Sequence, residues 1–200
     1  MVKELSADPK KRYMQVEMKF FSLWWAEQDD RKKDEVRRLV REGQLEFVNA
    51  GWSMHDEGCT TADDIMNNML MGHEFITREF GEWARPKVGW HIDTFGHSNG
   101  NPRLFAEMGF DAWFFARLDY EDKRQRMKDK EMQWVWKPFE DSLGDNVSIF
   151  THAMHDHYHQ PGWLRYDEVN FGTNPVVTDP SLTTFNADTK VFLLRMYLLD

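Results

Sequence analysis

What most constrains this chain is a change of period that recurs along it. Apolar residues repeat with a period of two, then of about 3.6, then of two again, at least three times within residues 1–120. Met14, Val16, Met18 and Phe20 alternate with Gln15, Glu17 and Lys19, the pattern of a strand. Residues 29–42 are rich in charge, with Val36, Leu39 and Val40 on one face, which predicts an amphipathic helix stopped by Gly43. Residues 45–48 predict a second strand, and a polar loop follows over 51–58. Thr61 is suited to cap a helix with Asp63 and Asp64 in its first turn. Ile65, Met69, Phe75, Ile76 and Phe80 fit one long helix ending at Gly81. Past Pro86, residues 88–92 predict a third strand. Pro102 suits the first turn of a short helix that Gly109 ends. Residues 111–116 predict a fourth strand, apolar enough for burial on both faces. Alternation of this kind argues for an α/β fold, a parallel sheet flanked by helices. Pro138, Gly144, Pro161, Gly162, Pro175 and Pro180 mark an irregular stretch, and residues 189–200 predict a final helix.

Composition narrows the functional classes. The chain has 200 residues, enough for one domain, with 41% hydrophobic and 30% charged residues. No apolar run approaches the roughly 20 residues that span a bilayer, so no membrane span is expected. A net charge of −9 repels phosphate backbones and argues against nucleic acid as a partner. Cys59 is the single cysteine, which leaves no internal disulfide and no cysteine-built zinc site. No charged-then-apolar leader of a signal peptide is visible. Asn146-Val147-Ser148 is a glycosylation sequon, short enough to arise by chance. None of these features sets an oligomeric state. The nine tryptophans and fifteen phenylalanines serve core packing first, and flat rings can also stack on sugar faces.

Active groups of parallel α/β sheets collect beyond the C-terminal ends of strands. His55, Asp56 and Glu57 follow the second predicted strand. His91, Asp93, Phe95 and His97 follow the third, and Arg117, Asp119 and Tyr120 follow the fourth. Three polar loops are therefore expected on one rim. Asp93 alone has two readings, since an aspartate between a strand and a turn commonly caps the next element.

The local string bears on that choice. Trp90-His91-Ile92-Asp93-Thr94-Phe95-Gly96-His97-Ser98 resembles the nucleophile motif of the α-mannosidases of glycoside hydrolase family 38, with Thr94 where proline is typical. Gly51-Trp52-Ser53-Met54-His55-Asp56-Glu57 is similar to a second loop of that family, and residues 104–111 and 116–120 resemble its lysosomal branch.

The resemblance implies a retaining, zinc-dependent glycosidase acting on terminal α-D-mannose of N-glycan-type oligosaccharides. Residues 1–200 would be part of an N-terminal catalytic α/β domain built as a seven-stranded, barrel-like sheet. It assigns Asp93 as both nucleophile and zinc ligand, with Phe95, Arg117 and Tyr158 at the sugar site. Arg117 would stand beside Asp93 and favour its ionised form. Asp56 is expected to play a structural or supporting part. The remaining zinc ligands and the acid/base would lie outside this sequence, and the parent would occupy a lysosomal or other secretory or vacuolar lumen. Two alternatives accompany it. One is a non-catalytic sugar- or protein-binding remnant of such an enzyme. The other is an unrelated zinc hydrolase using His155, His157 and His159, whose spacing would align them on one face of a strand.

Overall fold

The computed structural model describes residues 1–155, 157–158 and 177–189, which fall into two units, Met1–His155 and Asp156–Asp200. The first unit runs α1 (Val2–Ala7), β1 (Tyr13–Gln15), α2 (Met18–Ala26), α3 (Asp30–Arg41), β2 (Leu45–Phe47), α4 (Ala62–Phe80), β3 (Val88–His91), α5 (Gly100–Glu107) and β4 (Ala112–Phe115). It continues with α6 (Tyr120–Asp129), β5 (Gln133–Trp136), α7 (Glu140–Leu143) and β6 (Ile149–Ala153). Among the described residues of the second unit, Val177 N–H donates to Asn186 Oδ1 at 2.8 Å and closes a turn.

Local chemistry accounts for most boundaries. Asp29 accepts from Lys32 N–H at 2.7 Å and starts α3, whose Val36, Leu39 and Val40 are buried. Thr61 and Asp64 form a reciprocal capping box at the start of α4. Asp119 accepts from the N–H groups of Glu121 and Asp122 to open α6.

The first predicted strand is corrected. Strand geometry ends at Gln15, and α2 begins at Met18. The buried side chains there are Met18, Phe21 and Trp25, a helical spacing, whereas Phe20 is 70% exposed. The alternation up to Phe20 ran by coincidence into the first turn of a helix whose packing face is set by those three.

The sheet expectation holds in part. β1 and β2 pair in parallel, as do β3 with β4 and β4 with β6, but edge strand β5 runs antiparallel to β6. β4 also departs from burial on both faces: Trp113 and Phe115 are wholly buried, while Ala112 and Phe114 are only partly covered. The two-stranded and four-stranded pieces meet through Asn49. Its backbone N–H donates to Val88 carbonyl at 2.6 Å, and its side-chain Oδ1 accepts from Trp90 N–H at 3.3 Å. Asn49 and Ala50 both have left-handed φ, 55° and 58°. The turn they make sends the Ala50 carbonyl against α4, where a Cβ on Gly72 would lie 1.9 Å from that oxygen. Glycine is therefore required at position 72 by close approach.

α4 joins two cores. Phe75, Ile76 and Phe80 pack with Met18, Phe21, Trp25, Leu39 and Phe47, while Ile65 and Met69 pack with Phe105, Trp113, Phe115 and Ile149. Burying each such side chain contributes roughly 1.5–3 kcal/mol. Loop 51–58 is moored between these cores, because Asn68 on α4 accepts from Ser53 N–H at 2.9 Å and Glu17 accepts from Met54 N–H at 2.9 Å.

Candidate active site

The three polar loops do converge. Asp93 follows β3 in a bend, with its side chain half exposed. Arg117 follows β4 and places Nε at 2.7 Å and Nη2 at 2.5 Å from Asp93 Oδ1. Among the described residues Asp93 Oδ2 accepts no hydrogen bond. The same guanidinium lies 4.2 Å from the centroid of the Phe95 ring, and that ring is 75% exposed. Phe95, Gly96, His97, Arg117, Leu118, Asp119 and Tyr120 line a cleft of about 620 Å³.

The loop after β2 grips the loop after β3 from the other side. Asp56 Oδ2 accepts from Phe95 N–H at 3.1 Å and Asp56 Oδ1 accepts from Gly58 N–H at 2.9 Å, so its part is to hold backbone. Glu57 Oε1 accepts from Ser98 N–H at 3.1 Å, and Glu57 Oε2 lies 2.7 Å from His97 Nδ1. His97 Nε2 lies 2.8 Å from Arg117 carbonyl. A carbonyl only accepts, so Nε2 carries a hydrogen and donates it, and a further proton lies on the line between Nδ1 and Glu57. Both side chains are almost fully buried, the Glu57 side chain 1% exposed and that of His97 9%. The His97 ring packs on Phe115 with centroids 4.0 Å apart. His97 and Glu57 were legible as members of the rim, but their bond to one another was not, because it spans 40 residues of sequence.

Behind this face sits a buried polar group. His55 Nε2 meets Asn101 Oδ1 at 2.8 Å, and His91 packs edge-on to His55 with ring centroids 4.4 Å apart. Burial pulls the His55 ring below its ordinary range, against the pull of the Asn101 bond. Complete burial, with the neighbouring His55 and His97, holds His91 well below it. In both rings burial disfavours the charged form. Burial also lowers His73 on α4, whose Nε2 donates to Asn49 carbonyl at 3.0 Å.

A second cavity of about 470 Å³, lined by Val2, Tyr13, Phe20, Trp24 and neighbours, has no carboxylate or histidine in its lining. Its titratable side chains are those of Tyr13 and Lys32.

Asp93, Arg117 and Phe95 thus share one rim. Residues 1–196 match the family described as Glycosyl hydrolases family 38 N-terminal domain. The chain belongs to glycoside hydrolase family 38. It is 43% identical over 187 residues to a lysosomal alpha-mannosidase of Cavia porcellus, covering 94% of this chain and 18% of that protein. It is 38% identical over 186 residues to the lysosomal alpha-mannosidase of Dictyostelium discoideum, covering 93% and 18%. An alpha-mannosidase of Canavalia ensiformis is 38% identical over 192 residues, covering 96% and 19%. This family 38 chain thus spans less than a fifth of the length of these relatives. Among solved structures, a glycosyl hydrolase family 38 protein from Enterococcus faecalis has a TM-score of 0.58 at 15% identity, covering 100% of this chain and 18% of that one. An alpha-mannosidase from the same organism has a TM-score of 0.55 at 18% identity, covering 77% and 16%. A 4-alpha-glucanotransferase from Thermococcus litoralis has a TM-score of 0.54 at 16% identity, covering 76% and 22%. At such identities the structural likeness is one of fold.

The remaining expected residues are Tyr158 and the histidines at 155, 157 and 159. Tyr158 belongs to the second unit, where its ring stands edge-on to His157 with centroids 4.2 Å apart. His155 and His157 are not on a strand. β6 ends at Ala153, His155 lies in a turn, His157 has φ of 53°, and His159 and all but the first residue of the helix expected over 189–200 lie outside the described residues. The spacing pointed to a strand only because period two cannot distinguish a strand from a run of turns.

Proposed function

We propose that this chain is a section of the N-terminal catalytic domain of a retaining α-mannosidase in which Asp93 is the nucleophile. The observation that supports the reading is how Asp93 is presented: half exposed at the C-terminal rim, restrained through Oδ1 alone, with Oδ2 unengaged among the described residues. In this reading an Asp93 carboxylate oxygen bonds to the anomeric carbon of a terminal α-D-mannose as the glycosidic bond breaks. The departing oxygen takes a proton from an acid elsewhere in the longer polypeptide, and water then releases mannose with retained configuration. Arg117 orients the carboxylate. Phe95, covered on one face by the guanidinium, offers the rest of its exposed ring to sugar C–H groups.

The substrate class in this proposal, N-glycan-type oligosaccharide, follows from the family resemblance, as does a lysosomal or other secretory or vacuolar lumen; of these the relatives' names carry mannose and the lysosome. The sheet would be part of the seven-stranded, barrel-like arrangement that the resemblance implies.

Zinc belongs to the proposal on the same resemblance, with Asp93 as one ligand. Among the described residues no three His, Cys, Asp or Glu side chains are grouped to hold a metal ion. Zinc sites use three or more protein ligands, so the described residues do not compose one by themselves. The others would come from elsewhere in the longer polypeptide, and zinc would there supply Lewis acidity and a template for sugar hydroxyls.

The test is to trap the intermediate. The full-length polypeptide is incubated with a fluorinated mannosyl fluoride, which forms a glycosyl-enzyme that turns over slowly, then digested and mapped by mass spectrometry. The mass increment is expected on the peptide holding Asp93. An increment on another carboxylate overturns the assignment.

A further inference from the structure

We infer that Glu57 and His97 are positioning residues for the Asp93–Arg117 pair, acting as one hydrogen-bonded frame. The inference rests on the reading of Asp93 as the functional carboxylate. Its basis is a closed circuit of contacts across three loops. Glu57, after β2, receives Ser98 N–H and meets His97 Nδ1. His97, after β3, donates Nε2–H to the backbone carbonyl of Arg117, after β4. Arg117 returns to Asp93 through its side chain. Asp93 and His97 are four residues apart in the same loop, so the frame fixes both ends of the span that presents the carboxylate.

Geometry argues that this frame orients groups and does not take part in bond making. The Glu57 and His97 side chains are buried, and His97 has both ring nitrogens engaged. Neither ring nitrogen is free to exchange a proton with substrate. What the frame controls is where the Arg117 backbone sits, and with it the reach of the guanidinium to Asp93 Oδ1. A displacement of about 1 Å at a reacting group costs up to about a hundredfold in rate. Loosening a frame of this kind should act on that scale.

Part of the inference is that hydrogen bonds, not charge, make the frame, and one substitution separates the two. In Glu57→Gln the amide oxygen accepts from Ser98 N–H, and the amide NH₂ donates to Nδ1 of a neutral His97 whose Nε2–H still reaches Arg117. All three contacts survive without the carboxylate. Glu57→Ala and His97→Ala break the circuit.

The experiment uses the full-length polypeptide, with aryl α-mannoside turnover and hydrogen–deuterium exchange measured on the same samples. Glu57→Ala and His97→Ala are each expected to lower kcat by roughly a hundredfold with KM changed by less than about threefold. The double variant is expected to be no slower than either single one, because the residues act in series. Glu57→Gln should stay within about threefold of the parent in kcat. Exchange should rise at residues 94–99 and 116–118 in the alanine variants and nowhere else. A purely stabilising role would instead raise exchange across the domain. Should an alanine variant fail to fold, Glu57→Asp carries the test, since it retains the charge but recedes by one methylene; kcat should fall at least tenfold.

Alanine variants with unchanged kcat, losses that multiply in the double variant, or Glu57→Gln as slow as Glu57→Ala would each overturn the inference. Asp93→Asn serves as the control. If it remains active, the nucleophile reading fails, and the positioning claim is still decided by exchange at residues 116–118.

Discussion

Arg117 closes on a single oxygen of Asp93, with Nε 2.7 Å and Nη2 2.5 Å from Oδ1, while its plane lies over the Phe95 ring at 4.2 Å. A planar fork serves both contacts at once. A lysine ammonium is a point charge that can pair with the carboxylate but cannot also lie flat on the ring. Arg117→Lys in the full-length polypeptide should therefore lower kcat/KM by about ten- to a hundredfold, or about 1.4–2.7 kcal/mol in transition-state stabilisation. Steady-state kinetics decide this, and equal kcat/KM would mean that charge alone suffices.

Asp93→Asn should abolish turnover and reduce bound zinc together in the full-length polypeptide, because the proposal gives one carboxylate both tasks. Activity and metal content measured on one sample test the pairing. Full zinc occupancy with no turnover would separate the two roles. Residues 1–200 produced alone should neither hydrolyse an aryl α-mannoside nor hold stoichiometric zinc.

Phe95→Ala should raise KM and lower kcat/KM several-fold, the order of the roughly 0.5–1.5 kcal/mol that an aromatic stacking contact contributes. The ring is 75% exposed, so the midpoint of thermal unfolding should hardly move. A large drop in that midpoint with normal kinetics would make Phe95 a packing residue.

Gly72→Ala should destabilise the fold by about 3 kcal/mol, at the upper end of overpacking costs. The added Cβ would meet Ala50 carbonyl at 1.9 Å, and that carbonyl belongs to a buried turn with little room to retreat. Chemical denaturation of the two proteins measures the difference; a loss under about 1 kcal/mol would show that the turn yields.

Acid should weaken the fold through His73. Its folded pKa is lowered by burial, so above the unfolded value near 6.5 both states are neutral and the ring adds no pH dependence. As pH falls below 6.5 the unfolded chain binds the proton first, and stability drops by up to about 1.4 kcal/mol per pH unit until the folded ring also titrates. His73→Gln, which can still donate to Asn49 carbonyl, should flatten that part of the stability–pH curve. An unchanged slope in denaturation midpoints between pH 7 and 5 would exclude His73 as a contributor.

The sequence by itself determined the elements whose cause is local. Asp29, Thr61 and Asp64 start helices by capping their own first turns, Leu45 and Phe47 alternate with Glu46 to make a half-buried strand, and the order of periods implied an α/β sheet with polar loops on one rim. The string around Asp93 also carried the family. Tertiary structure alone decided the matters that depend on distant partners. α2 begins at Met18 because Met18, Phe21 and Trp25 find a core to bury in, which a short period-two run could not foretell. β5 forms an antiparallel ladder with β6, a pairing direction that the pattern of β5 alone does not encode. Glu57 meets His97, and His97 meets the Arg117 carbonyl, across 40 and 20 residues of sequence. Periodicity reports which face of an element is apolar. A hydrogen bond between loops requires the sheet to have brought their strand ends together first.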